Sequence, residues 1–93
     1  MKAIESAIER ACCKLAYTRY NVPNIKLVDA TGKPDRMFMK NGRVLFIEFK
    51  APGRQPRPLQ LYEQEKLRLN GFSVHNIAKE SDFISILEWW LNG

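Results

Sequence analysis

The chain has 93 residues, of which 45% are hydrophobic and ten are aromatic, and it carries 15 Lys and Arg against 10 Asp and Glu for a net charge of +5. That composition excludes a disordered chain, and the length allows one domain, residues 1–93, small enough that self-association would help it. The positive charge suits either a plain solvated surface or a polyanionic partner, and charge alone does not choose between them.

Residues 3–18 place Ile4, Ile8, Ala11, Cys12 and Leu15 at helical spacing, with Glu5 and Glu9 sharing a face beside that stripe. The adjacent Cys12 and Cys13 lack the spacing of a zinc site and read as small core residues of a reducing compartment. "NVPN" breaks the helix. Residues 25–29, "IKLVD", read as a short strand, and 30–35, "ATGKPD", as a turn. Two β-rich runs, 36–40 and 43–50, flank Asn41-Gly42, the pattern of a tight hairpin. Residues 51–58 form a proline-rich loop. A helix follows from Pro58 or Leu59 to Asn70, with Gly71 as its stop. Residues 72–78 read as a strand. Ser81 is placed to cap a last helix, 82–92, with Phe83, Ile86, Leu87 and Trp90 on one side. Ile84 and Trp89 widen its apolar surface beyond one face, which points to self-association. The order α-β-β-β-α-β-α predicts an α/β fold, a mixed central sheet flanked by helices. No apolar run reaches the length of a membrane span and no signal peptide is seen, so a soluble, intracellular, cytoplasmic protein is expected.

The hairpin permits a register estimate. A two-residue turn pairs Lys40 with Arg43 and Met39 with Val44, so partner numbers sum to 83 and Asp35 falls opposite Glu48. Opposed residues share a face at roughly 4.5–5.5 Å between Cβ atoms, and Lys50 lies on that face too. Val44–Phe49 is otherwise apolar, as in a strand covered on both faces. Two like charges there are destabilising unless one is protonated, Lys50 bridges them, or a divalent cation sits between them. The plain alternative is a surface Glu48–Lys50 pair with Asp35 beyond the ladder, since one bulge would undo the register.

"KPD" at 33–35 followed through a hairpin by "IEFK" at 47–50 resembles the PD-(D/E)XK nuclease signature. The downstream "KAPGRQPRPLQ" and the upstream "IERA" are similar to the stand-alone, phage-type VRR-NUC branch, over about residues 4–80. The resemblance implies a Mg²⁺- or Mn²⁺-dependent DNA endonuclease. Asp35, Glu48 and the backbone carbonyl of Phe49 match its metal ligands, Lys50 its catalytic lysine, Gln60 its helix glutamine and Glu9 its first-helix glutamate, with Glu5 one turn earlier as the other candidate. A small symmetric homodimer would present two such sites, which suits branched or four-way junction DNA, and the phage-type resemblance points to a phage gene in a bacterial host. Lys33 within "GKPD" and the "APG" after the motif depart from the common pattern without removing a ligand. Arg54 and Arg57, and less directly Lys33, Arg36 and Lys40, are candidates for phosphate contacts. Each of these charges could instead be ordinary surface. His75 and the two tryptophans read as structural. The alternative function is a non-catalytic basic module that binds nucleic acid and keeps the nuclease fold.

Overall fold

The computed structural model describes residues 2–28 and 32–93, with side chains from residue 4 onward. The elements are α1 (Lys2–Tyr20), β1 (Asn24–Lys26), β2 (Arg36–Lys40), β3 (Arg43–Phe49), α2 (Pro58–Leu69), β4 (Ser73–Ile77) and α3 (Glu80–Asn92). This is the expected order. One four-stranded sheet runs β1-β2-β3-β4, antiparallel except for the β3–β4 pair. A mixed sheet with helices at its faces is the α/β arrangement expected.

The hairpin register is the one the Asn-Gly turn predicts, from Lys40↔Arg43 to Arg36↔Ile47. Asn41 and Gly42 both take positive φ, 53° and 77°, as the turn requires. The ladder stops one residue short of Asp35. There the chain bends, and the Asp35 N–H reaches the Ile47 carbonyl at 3.0 Å, one step out of register.

Four local expectations are corrected. First, α1 runs on to Tyr20. It stops where Asn21 turns left-handed at φ 55°, and the N–H groups of Asn21 and Val22 turn back to the carbonyls of Tyr17 and Ala16. Ile4, expected on the buried stripe, is 49% exposed, because the first turns of α1 run past the core to a polar cleft. Second, β1 is Asn24–Lys26. Leu27 adds a single bond to the Asp35 carbonyl, while Asp29 and the first residues of the expected turn, 30–31, lie outside the described residues. Third, α3 begins at Glu80, so Ser81 lies inside its first turn and Lys79 holds the cap position without a side-chain bond. Glu80 and Asp82 meet the positive end of the helix dipole instead. Fourth, β3 is covered on both faces only toward its C-terminal end.

α1 and α3 cover one face of the sheet, where Phe38, Leu45, Ile47 and Phe49 meet Cys12, Ala16, Phe83, Leu87 and Trp90 in one apolar core. On the other face α2 covers the end of β3 and β4, and Phe46 is only half-buried, edge-on to the Phe72 ring at 5.6 Å. Arg43 at the hairpin tip donates to the carbonyls of Trp90 (2.8 Å) and Leu91 (3.3 Å), which closes the C-terminal end of α3. Cys12 is core, its thiol pushed up to about 12 by burial, and neither cysteine is in a disulfide. Trp89 is 59% exposed, its ring edge-on to His75, which is consistent with surplus apolar surface. Among the described residues no helix is long and apolar enough to cross a membrane.

Candidate active site

The C-terminal end of β3 opens into a polar cleft of about 610 Å³ lined by residues of α1, β1, β3, the proline-rich loop and the start of α2. Asp35, Glu48, Phe49, Lys50 and Gln60 meet there, with Glu5 and Glu9 from α1 and Arg54 and Arg57 from the loop. Residues far apart in sequence, at 5, 35, 48 and 60, thus share one cavity.

Glu48 is 4% exposed. Its Oε2 accepts from Gln60 Nε2 at 2.8 Å and lies 3.2 Å from Lys50 Nζ. Its Oε1 is buried with no hydrogen-bond partner. A buried carboxylate oxygen left this way is costly and calls for a ligand or a proton. Burial pushes the Glu48 carboxyl up to about 7, and the charge of Asp35 adds to the shift against the opposing pull of Lys50.

Asp35 Oδ2 accepts the Phe49 N–H at 2.8 Å, so the side chain crosses to β3 although the backbone has left the ladder. Burial raises its pKa too, opposed by that N–H. Lys50 Nζ donates to Gln60 Oε1 at 2.7 Å, and the same oxygen accepts the Arg57 N–H at 2.8 Å. Gln60 therefore touches the acid, the amine and the start of its own helix at once.

The other candidates divide. Glu9 Oε2 is taken by Arg36 Nε at 2.6 Å and Lys26 Nζ at 3.0 Å. Burial raises the Glu9 pKa, but these two cations outweigh it and leave the carboxyl below its ordinary value. Arg36 also donates to Asn24 Oδ1 at 3.0 Å, so its guanidinium braces α1 against β1 and β2 rather than lining the cleft. Glu5 lines the cleft, and its charge contributes to the upward shift of Glu48. Lys33 lies outside the cleft, 2.6 Å from Glu63 Oε1. Lys40 donates to the Asn21 carbonyl at 3.0 Å, far along β2 from Asp35. Lys26, Ser6 and Gln55 line the cleft and were missed. Lys26 could have been found only from the β1–β2 register, which sets it opposite Arg36; the short strand and long turn gave no such register.

The approach to Asp35 is set by Gly32, at φ 79°. A Cβ there would lie 2.7 Å from Leu59 Cγ and 3.2 Å from the Leu59 carbonyl oxygen. Leu59 is exposed and could swing aside, but the carbonyl and the left-handed backbone remain. Gly32→Ala is expected to destabilise the protein by about 1–2 kcal/mol and to move the 33–35 loop, read by urea unfolding and by amide shifts at Lys33 and Asp35. Unchanged stability would remove Gly32 from this account.

Among the described residues no three His, Cys, Asp or Glu side chains cluster as a ready-made metal cage. Mg²⁺ commonly takes only one or two protein carboxylates and keeps its waters. The buried Glu48 carboxylate, with its unpartnered oxygen, and the half-buried Asp35 beside it fit a hard cation of that kind.

No protein-family profile matches the chain. Over 57 residues it is 42% identical to a protein of Acyrthosiphon pisum secondary endosymbiont phage 1 named "Putative nuclease p44". That match covers 60% of this chain, and the chain spans about 60% of the length of that relative. A solved structure described as a VRR_NUC domain superposes with a TM-score of 0.77 over 91% of this chain and 95% of the other, at 21% identity. The fold is that of a VRR_NUC domain.

Proposed function

We propose that this VRR_NUC-fold chain, residues 1–93, acts as a divalent-metal-dependent DNA endonuclease. The observation that carries the reading is the buried Glu48, with one oxygen unpartnered, grouped with Asp35 and Lys50 on the floor of a polar cleft. The phage relative's name supports the same reaction class.

Asp35, Glu48 and the Phe49 carbonyl would hold Mg²⁺ or Mn²⁺, which supplies polarisation of a phosphate and a bound water of lowered pKa. Lys50 orients the attacking water and stabilises charge developing on the phosphate oxygens. Water oxygen bonds to phosphorus and the P–O3′ bond breaks. The products are a 3′-hydroxyl and a 5′-phosphate. Gln60 keeps Glu48 and Lys50 in place, and Arg54 and Arg57 meet phosphates on either side. Glu9, held by two cations, ties α1 to the sheet, while Glu5 supplies the α1 carboxylate of the cleft. Lys33 and Arg36 contribute through their ion pairs rather than by touching DNA.

A homodimer acting on branched or four-way DNA completes the proposal. The exposed Leu61, Tyr62 and Leu69 of α2 and Trp89 of α3 are the apolar surface that such self-association would use. Such a nuclease belongs in the cytoplasm of a phage-infected bacterium. Labelled junctions, flaps and linear duplex incubated with Mg²⁺ or Mn²⁺ test the activity, and sedimentation tests the dimer. Asp35→Asn should lose cleavage of every form. Undiminished cleavage by that variant overturns the reading. Metal-independent binding without any cleavage would favour the non-catalytic module.

Metal binding should depend on pH in a defined direction. Glu48 must lose a proton to bind a cation, and its pKa is raised to about 7. Mn²⁺ affinity by calorimetry should therefore rise about tenfold per pH unit below 7 and flatten above it, with proton release at pH 6 and little at pH 8. Affinity that is flat from pH 5.5 to 8 would contradict the buried-carboxylate assignment.

A further inference from the structure

α2 is built the wrong way round for a helix that packs by the hydrophobic effect. Leu61, Tyr62 and Leu69 are exposed, while its buried residues are Glu63 and Gln64. Apolar burial is non-directional and tolerates sliding, whereas hydrogen bonds fix distance and angle. The seat of α2 on the sheet must therefore be set largely by polar contacts.

One of these contacts is a reciprocal amide pair between a buried residue of α2 and an exposed residue of β4. Gln64, 1% exposed, donates from Nε2 to Asn76 Oδ1 at 2.8 Å and accepts at Oε1 from Asn76 Nδ2 at 3.0 Å. Asn76 sits on β4 as the register partner of Glu48 on β3. Gln64 is one helical turn after Gln60, so both point at the sheet from the same face of α2. The two links, Gln60 to Glu48 and Gln64 to Asn76, are thus consecutive rungs between one helix and two paired strands. Arg68, a further turn on, donates to the Val74 carbonyl at 2.9 Å and extends the series.

We propose that Gln64 and Asn76 are positioning residues, whose amide pair fixes where α2 sits on β4 and so holds Gln60 in reach of both Glu48 and Lys50. The Gln60 contacts, at 2.7 to 2.8 Å, leave no slack for a helix that shifts. The catalytic consequence rests on the nuclease reading above; the placement of Gln60 does not.

The test uses the full chain with Gln64→Met, Asn76→Leu, the double variant, and the exchange Gln64→Asn with Asn76→Gln, which preserves the combined reach of the pair. Two quantities are read: the side-chain NH₂ resonances of Gln60 in ¹⁵N–¹H spectra, and kcat and KM for Mn²⁺-dependent cleavage of a four-way DNA junction. Each single variant should move the Gln60 resonances toward those of a free amide. It should also lower kcat by about 10–100-fold, the range for residues that orient a metal site from behind, with KM little changed. The double variant should be no worse than either single, and the exchange should recover most of kcat. Folded variants with unmoved Gln60 resonances and unchanged kcat overturn the proposal. Should the singles fail to fold, solvent exchange in the wild type decides: slow, matched exchange of the Gln60 and Gln64 side-chain amides supports it, and fast Gln64 beside slow Gln60 overturns it. If the wild type cleaves nothing, the nuclease reading fails and the Gln60 resonances alone judge the positioning.

Discussion

Glu48→Gln is expected to abolish metal-dependent cleavage and, at pH 8 without metal, to make the protein more stable. The two effects share one cause. The wild-type carboxyl is buried, has one unpartnered oxygen, and titrates near 7 rather than at its ordinary 4.5. A raised folded-state pKa favours the folded state at low pH, and that advantage is lost as pH rises through about 7. Each pKa unit is worth about 1.4 kcal/mol, so at pH 8 the buried charge costs up to about 3 kcal/mol. Glutamine carries no charge. Its oxygen can still accept from Gln60 Nε2, and its amide can face Asp35. Melting curves of the metal-free proteins should therefore coincide near pH 4, below the ordinary carboxyl value of 4.5, and separate progressively to pH 8, with the variant higher. Excess Mg²⁺ should raise the wild type at pH 8 and leave the variant where it is. A variant less stable than wild type at pH 8 would mean that Glu48 is held by its hydrogen bonds and not strained by its charge.

Lys50→Met should lower kcat by about 10²–10³-fold, the usual loss when a preorganised donor to developing charge is removed. It should also shift the pH profile. The Lys50 ammonium opposes the upward shift of Glu48, so without it the Glu48 carboxyl titrates higher still, and both Mn²⁺ affinity and residual cleavage need a higher pH. Gln60 keeps its bond from the Arg57 N–H and stays in place. A profile that moved to lower pH, or stayed put while kcat fell, would separate Lys50 from Glu48 and leave it a role in charge stabilisation alone.

Much of this arrangement was readable because it is local. The Asn-Gly turn fixes a register by counting, and the count holds to Arg36↔Ile47. Asp35 was read as the next rung. The structure keeps its side chain near β3 but takes its backbone off the ladder, since a bend before β2 follows from the Gly32–Pro34 turn and not from pairing preferences. Residues whose roles depend on distant partners were not readable. Glu9 and Glu5 are equivalent along a helix. Only the fold brings Lys26 and Arg36 to Glu9 and leaves Glu5 facing the cleft. Lys33 likewise lies next to the motif in sequence but is drawn off by Glu63 on α2. Ser81 failed as a cap because Glu80 suits the helix start well enough for α3 to begin two residues earlier.

The closure of α3 by Arg43 has a consequence for the order in which the chain folds. The hairpin that carries Asp35 and Glu48 is complete halfway through synthesis, yet a lone hairpin is marginal in water. Its core face is sealed by Phe83, Leu87 and Trp90, which emerge last, and its tip is tied to the final turn of α3. Glu48 points to the opposite face of β3, where Gln60 of α2 meets it, so its burial requires α2 to dock on a sheet that α3 has steadied from the other side. Pulse-labelled hydrogen exchange during refolding should show the β2–β3 amides gaining protection together with those of Phe83 and Leu87. A nascent chain would then hold every acidic residue of the cleft while having no assembled cleft, and would acquire one in a single cooperative step when its last helix docks.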